Sequence, residues 1–236
     1  MTLFRLAACV LLAVGLRACT VYEYEHEFWL LVDGSGSVSV TARPELWAAF
    51  KGLGRAEDPE GTATREAARE LFERSGLSVN RVTITHRGGR PYLFVSADFK
   101  DVNRLAGTPA FPDFEKISLG RAGERLDFYG LWKRPPARAE KPADDGLMAV
   151  RFHLPSKVYE HKNADGGVER GNIVGWRQDV TQGLAGQRLE FGAIMGARSI
   201  LWSTVGLFAL SIVGGLGVLA IALYLAFRRG RRMEAG

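Results

Sequence analysis

Four histidines are the residues of this sequence whose type best suits metal binding or proton transfer. They are His26, His86, His153 and His161, and the last two lie eight residues apart across a proline. That spacing matches no common zinc signature, in which the ligands come in closer pairs. We therefore interpret the histidines as isolated residues on strands or loops, with a metal site as the less favoured alternative.

Three glutamates alternate with aromatic and apolar residues near the start of the chain. Glu23, Glu25 and Glu27 fall within the segment TVYEYEHEFWLLV at residues 20–32. Alternation with period two predicts a β-strand, and the three carboxylates would then stand ~6.6 Å apart on one face. We expect this face to be solvated, in preference to a metal site.

No motif for nucleophilic, phosphate or metalloprotease chemistry is present. The sequence lacks GxGxxG, a P-loop, HExxH and GxSxG in a suitable context. A serine–histidine–acid triad has no fixed spacing, so an enzyme remains the third and weakest hypothesis. We expect no catalytic residue, no metal and no cofactor.

Large aromatic side chains are plentiful in the middle of the chain. They belong either to the core or to a cavity that accepts the tails of a lipid, and the core is favoured. The residues concerned are Trp29, Trp47, Phe50, Phe111, Phe114, Phe128, Tyr129 and Trp132.

The C-terminal part of the chain predicts one membrane-spanning helix. Residues 199–227 carry no charge, which exceeds the ~20 apolar residues that cross a bilayer. Trp202 and Tyr224 are spaced to place one aromatic side chain at each interface. A basic tail follows at residues 228–236, which predicts a cytoplasmic C-terminus; its arginines are Arg228, Arg229, Arg231 and Arg232.

Small residues within this helix predict close helix packing. Ser211 and Gly215 are four residues apart, the spacing that lets two membrane helices approach each other. Dimerisation is the less favoured outcome, because glycine is common in membrane helices in general.

The N-terminus has the pattern of a secretory signal peptide over residues 1–18. A basic start is followed by an apolar stretch and by small residues before a cleavage site. The sequence LRAC ending at Cys19 is similar to a lipobox, so Cys19 is the predicted lipidation site. An ordinary cleavage site nearby or an uncleaved segment are the alternatives. Cys9 would be lost on cleavage, which leaves no internal disulfide.

The charge distribution argues against nucleic acid as a partner. The net charge of +5 comes from the two ends, because residues 20–227 hold 25 basic and 25 acidic groups. A nucleic-acid-binding domain would carry its basic excess on the folded body.

We interpret residues 19–198 as one α+β extracytoplasmic domain with an antiparallel, strand-rich sheet. Eight to ten short strands and two or three short helices are predicted from hydrophobic periodicity and turn residues. The clearest helices are residues 44–50, which begin with proline, and 65–75, capped by Thr62 or Thr64. Residues 133–146 are proline-rich and charged, and we expect a loop there.

The layout resembles the LppM-type bacterial membrane lipoproteins. The matching residues are LPSKV at 154–158, HKNA at 161–164 and NIVGW at 172–176, followed by the membrane helix. The opening strand and the DGSG turn at 33–36 are also similar. Arg17 in the lipobox and the stretch at 133–146 depart from the family pattern. The resemblance implies a lipid-interacting α+β domain on the cell envelope and supplies no catalytic residues.

These observations favour a single-pass plasma-membrane protein whose exported domain binds or presents a lipid or glycolipid. The alternative is a structural or accessory subunit of an envelope membrane protein complex. The sequence separates the two only weakly, because its strongest features concern anchoring.

Overall fold

The fold was analysed in a computed structural model, which describes residues 22–54, 61–133, 146–165, 167–197 and 200–233. Eleven strands and four helices lie in these residues. The strands are β1 (Tyr22–Leu30), β2 (Gly36–Ala42), β3 (Ser78–Arg87), β4 (Arg90–Phe99), β5 (Phe114–Ala122), β6 (Arg125–Trp132), β7 (Leu147–His153), β8 (Val158–Lys162), β9 (Val168–Glu169), β10 (Ile173–Asp179) and β11 (Leu189–Gly196). The helices are α1 (Pro44–Lys51), α2 (Thr62–Glu73), α3 (Val180–Leu184) and α4 (Ile200–Met233), and a 3₁₀ turn covers Val102–Arg104.

Two sheets form the body of the domain. The larger has seven strands in the order β3-β4-β2-β1-β7-β10-β9, and the smaller has four in the order β5-β6-β11-β8. All neighbouring pairs are antiparallel except β1 and β7, which run parallel. The α+β prediction is confirmed, and the expected antiparallel pairing holds for every neighbouring pair except one. Strand β7 follows two helices and five strands after β1 and returns beside β1 in the same direction.

The strands alternate in burial, as the sequence pattern predicts. Tyr24, His26 and Phe28 of β1 face the interior and are fully buried, whereas the glutamates between them are only partly buried. The inner face of the smaller sheet packs against these residues, with Phe128 4.4 Å from Phe152 of β7 between ring centroids. The two sheets therefore share one aromatic core.

Helices α1 and α2 add apolar side chains to the same core. Trp47 and Phe50 of α1 are buried, and the Trp47 indole nitrogen donates to the carbonyl oxygen of Leu93 at 3.1 Å. Helix α1 ends where Gly52 adopts a left-handed conformation (φ 66°), which a residue without a side chain takes up most readily. Both predicted helices are present, but α2 is capped by Gly61 and already includes Thr62 and Thr64.

Two short strands and one short helix were not predicted from the sequence. Strand β8 is exposed along most of its length, and β9 has two residues, so neither shows a clear alternation. Helix α3 spans five residues and is held by a capping box between Asp179 and Gln182. Most of the predicted loop at 133–146 lies outside the described residues.

Helix α4 is the one helix among the described residues that is long and apolar enough to cross a membrane. Its apolar window, Val205–Ala222, has a mean hydropathy of 2.4, and none of it is buried against the rest of the chain. This property follows from length and composition, and agrees with the predicted position of the membrane helix.

Candidate functional site

A buried polar cluster forms around Asp113, in the turn before β5. Its carboxylate accepts hydrogen bonds from the Tyr24 hydroxyl at 2.6 Å, the Trp132 indole at 3.1 Å and the Lys51 ammonium at 3.2 Å. These donors come from β1, β6 and α1, so one carboxylate connects both sheets and a helix. Burial raises the pKa of Asp113, but the charge of Lys51 and the hydrogen bonds from Tyr24 and Trp132 outweigh that effect and hold it below its usual value.

Lys51 is the cation of this cluster. Its side chain is fully buried, and its ammonium donates to the carbonyl oxygen of Ala110 as well as to Asp113. It also lies 4.7 Å from the centroid of the Phe111 ring, which is a favourable position for a cation. Burial lowers the pKa of Lys51, while the neighbouring carboxylate of Asp113 opposes the shift.

His26 lies beside the ion pair without joining it by a hydrogen bond. Its Nε2 atom is 3.7 Å from Asp113, and neither ring nitrogen has a hydrogen-bond partner among the described residues. The imidazole packs edge-on against Tyr24 and Phe114. Burial, with the charge of Lys51, lowers the pKa of His26 to about 3, so the ring is neutral at physiological pH.

This cluster contains an acid, a base and an amine, all of them enclosed by the residues that the structure describes. Tyr24, His26, Asp113 and Trp132 are all fully buried, and so is the side chain of Lys51. A catalytic group must reach the reacting atoms, and the burial of these side chains does not favour such contact. The cluster therefore positions the sheets and α1.

The other histidines are dispersed. His86 lies near the end of β3, His161 in β8, and His153 in β7, where its Nε2 atom is 2.8 Å from Glu27. No group of three or more potential metal-ligating residues exists among the residues that the structure describes.

The glutamate row of β1 lies on the outer face of the larger sheet, but it is not simply solvated. Glu23 contacts Arg43 at 2.8 Å and accepts a hydrogen bond from Tyr92, and Glu27 binds His153. Burial raises the pKa of Glu25, and the neighbouring charge of Glu27 raises it further. The face is therefore partly buried and not fully solvated, because Arg43, Tyr92 and His153 from other segments contact the glutamates.

The outer face of the smaller sheet carries a depression of about 230 Å³. Its position follows from the register of three strands, in which Gly192 of β11 lies between Tyr129 of β6 and Lys162 of β8. Because Gly192 has no side chain, a gap remains between two long ones. The lining residues on the outer face of the sheet are Asp127, Tyr129, Glu160, Lys162, Gly192 and Ile194.

A short polar network borders this depression. The Lys162 ammonium donates to Glu190 at 2.6 Å. Glu190 also accepts from the Tyr129 hydroxyl, and the bonds from Lys162 and Tyr129, in that order of importance, lower the pKa of Glu190. Desolvation and the bond to Glu190 raise the pKa of Tyr129. Lys116 lies 5.3 Å from the Tyr129 ring centroid. Ammonium groups, which can bind anions, and a carboxylate, which can accept hydrogen bonds from hydroxyl groups, thus lie beside one aromatic ring.

The predicted anchoring residues fall on helix α4 or outside the described residues. Positions Trp202, Tyr224, Arg228, Arg229, Arg231 and Arg232 all lie within Ile200–Met233. Cys19, the predicted lipidation site, and the signal peptide lie outside the described residues. Their roles stay predictions.

The predicted helix-packing pair is exposed on α4. The Ser211 hydroxyl donates to the Leu207 carbonyl oxygen at 2.9 Å, and no heavy atom lies within 4 Å of a side chain built at Gly215, apart from the helix itself. A second helix would find this face open, so helix packing stays a prediction.

Of the residues that line the depression, the sequence singles out Phe128 and Tyr129 as candidates for the core or a lipid cavity, and His161 as an isolated histidine. The other lining residues are ordinary surface types, and they become neighbours through the pairing of β6, β11 and β8. The one local clue is Gly192 at an outward position of an alternating strand, where a glycine often marks a close approach.

Comparisons with known proteins find one distant likeness. No protein-family model matches the chain, and no curated protein matches it. The folded domain of the Mycobacterium tuberculosis LppM protein, solved by NMR, is similar in structure with a TM-score of 0.39 and 17% sequence identity. The match covers 75% of this chain and 90% of that domain. No site residue is carried over from that structure.

Proposed function

We propose that this chain is a membrane-anchored envelope protein whose exported domain binds the polar headgroup of a lipid or glycolipid. The observation that supports this function is the depression at Gly192, which joins an aromatic ring, an ammonium group and carboxylates on one open sheet face. Binding therefore takes place on the outer surface of the smaller sheet.

The core residues support a surface site over an interior one. Six of the eight aromatic residues considered above are at most 1% exposed, and they pack against other rings. Side chains at this density fill the space that lipid tails would need. The two outside the core are Trp29, 39% exposed and stacked on His153, and Tyr129 at the depression.

The chemistry of the depression suits a headgroup with hydroxyl or phosphate oxygens. An ammonium group has three donors, and the single bond from Lys162 to Glu190 leaves others for a ligand. Asp127 and Glu160 lie on either side of Ile194, and their carboxylates can accept hydrogen bonds from ligand hydroxyl groups. The volume lies below the ~300 Å³ at which pockets for drug-sized molecules begin, so one ring or one phosphate group is the appropriate size.

The anchoring part of the proposal rests on the two ends of the chain. Residues 1–18 act as a signal peptide, Cys19 carries lipid, and α4 crosses the plasma membrane with the basic tail in the cytoplasm. The apolar window of α4 and the arginines that follow it support this arrangement. Binding is proposed in preference to catalysis because the acid–base cluster at Asp113 is fully buried.

Native mass spectrometry of the full chain, extracted from its own envelope in mild detergent, tests the proposal. We expect one class of lipid to remain bound and to be identified after dissociation. The double variant Tyr129→Ala, Lys162→Met should lose that lipid, whereas the control Trp29→Ala, Lys100→Met, with the same types of change elsewhere on the surface, should retain it. A protein that retains no selective lipid would overturn the proposal and favour the accessory-subunit alternative.

A further inference from the structure

The end of strand β11 lies close to the membrane helix along the chain. Three residues separate Gly196 from Ile200, and four extended steps of ~3.5 Å place these two residues within about 14 Å. The apolar window begins at Val205, five residues or ~7.5 Å of helix later. That rise is about the thickness of one headgroup layer, so the end of β11 lies near the bilayer surface if α4 spans the membrane.

Two other segments are fixed beside the end of β11. The backbone amide of Ala197 donates to the carbonyl oxygen of Glu124 in the β5–β6 turn at 2.9 Å. The amide of Gly196 donates to the carbonyl oxygen of Lys157, just before β8, at 3.3 Å. These bonds hold residues 121–125 and 157–159 at the membrane-proximal end of the smaller sheet. We call these two segments the juxtamembrane surface.

The juxtamembrane surface has a basic and aromatic composition. Arg121, Arg125 and Lys157 are exposed, and none forms an ion pair with a carboxylate among the described residues. Glu124 is the only acidic residue in the two segments. Tyr159 is 57% exposed, and its ring lies against Gly196. Cations with an exposed tyrosine are the combination that favours a charged membrane interface.

We propose that the juxtamembrane surface docks on anionic lipid headgroups and so fixes the orientation of the domain on the bilayer. Arg121, Arg125 and Lys157 contact the headgroup phosphates, and Tyr159 lies at the interface. Gly192, at the depression, is four residues from Gly196, which is ~13 Å along β11. Docking of the juxtamembrane surface therefore holds the depression at a fixed distance above the lipid. The inference rests on the membrane-spanning role of α4 in the proposed function, but not on ligand binding at Gly192.

Fluorescence quenching in nanodiscs tests this docking with the full chain. A bimane probe is attached at Ala122→Cys, the exposed last residue of β5, in a chain with Cys9 and Cys19 replaced by serine. The discs contain phosphatidylcholine alone or with one third phosphatidylglycerol, and a trace of lipid with a nitroxide on its headgroup. We expect several-fold stronger quenching in the anionic discs, and its loss at ~1 M salt, where charges are screened beyond ~3 Å.

A matched pair of triple variants separates local docking from net charge. Arg121→Gln, Arg125→Gln, Lys157→Gln should reduce quenching to the level of neutral discs. Arg74→Gln, Arg81→Gln, Arg188→Gln removes the same charge at exposed positions outside both the juxtamembrane surface and the depression, and should leave quenching unchanged. Equal quenching in both kinds of disc, or an equal loss in both triple variants, would overturn the inference. The Tyr129→Ala, Lys162→Met variant should lose retained lipid and keep its quenching, so the two proposals fail separately.

Discussion

The carboxylate of Asp113 lies 3.2 Å from the ammonium of Lys51, and neither side chain reaches solvent. Ion pairs of this kind cost desolvation energy, and they persist where further hydrogen bonds satisfy the remaining groups. Here Tyr24, Trp132 and the Ala110 carbonyl supply those bonds. The pair therefore determines how α1 and the two sheets meet.

Removing one member of this pair should destabilise the fold strongly. We expect Lys51→Met to lower the free energy of unfolding by about 3–5 kcal/mol, because the carboxylate of Asp113 then stays buried without its cation. The measurement is urea denaturation of the full chain in detergent, followed by tryptophan fluorescence. Glu73→Gln is the control, since its pair with Arg69 is about half exposed and is worth about 0–1 kcal/mol. Similar midpoints for the two variants would contradict the prediction.

Acid should destabilise the protein through His26. Its pKa is about 3 in the folded state and 6.5 in an unfolded chain, so the unfolded state binds the extra proton between those values. Stability should fall as the pH is lowered from 6.5 towards 3, by up to about 1.4 kcal/mol per pH unit from this group.

Unfolding free energies measured at intervals across that range test the role of His26. His26→Phe should flatten the dependence, because the remaining groups no longer include a buried neutral imidazole. His161→Phe, at an exposed position of β8, is the control and should keep the wild-type slope. An unchanged slope in His26→Phe would show that another group is responsible.

A single methyl group at Gly130 should disturb the core of the smaller sheet. A Cβ atom at this position would lie 1.9 Å from the Phe191 ring, so β6 and β11 could not keep their spacing. We expect Gly130→Ala to cost about 1–3 kcal/mol, as overpacking does. Thermal unfolding measures the change, and Gly120→Ala in β5, where nothing lies within 4 Å, is the control. Equal unfolding temperatures would refute the close contact.

Cysteine labelling should establish the orientation of the chain in the membrane. In a chain with Cys9 and Cys19 replaced by serine, Lys100→Cys should react with an impermeant maleimide on intact cells. Ala235→Cys, near the end of the basic tail, should react only after the cells are permeabilised, because arginines next to a span favour the cytoplasmic side. The reverse pattern would place the domain in the cytoplasm and remove the basis of both proposals.

The sequence by itself determined the local elements and the position of the apolar helix. Strands such as β1 and β4 and helix α2 are amphipathic, and their periodicity is a property of neighbouring residues. The uncharged run that ends at four arginines is also local; α4 includes nearly all of it and continues through the arginines to Met233.

The tertiary structure decided how these elements meet. No local pattern indicates that β7 pairs parallel to β1, or that Lys51, Asp113 and Trp132 converge, because they come from separate segments. The depression likewise depends on Gly192 being flanked by Tyr129 and Lys162 across two strand pairings. These contacts are stabilised by strand pairing and side-chain packing between segments that are far apart in the sequence. The pattern of neighbouring residues therefore does not predict them.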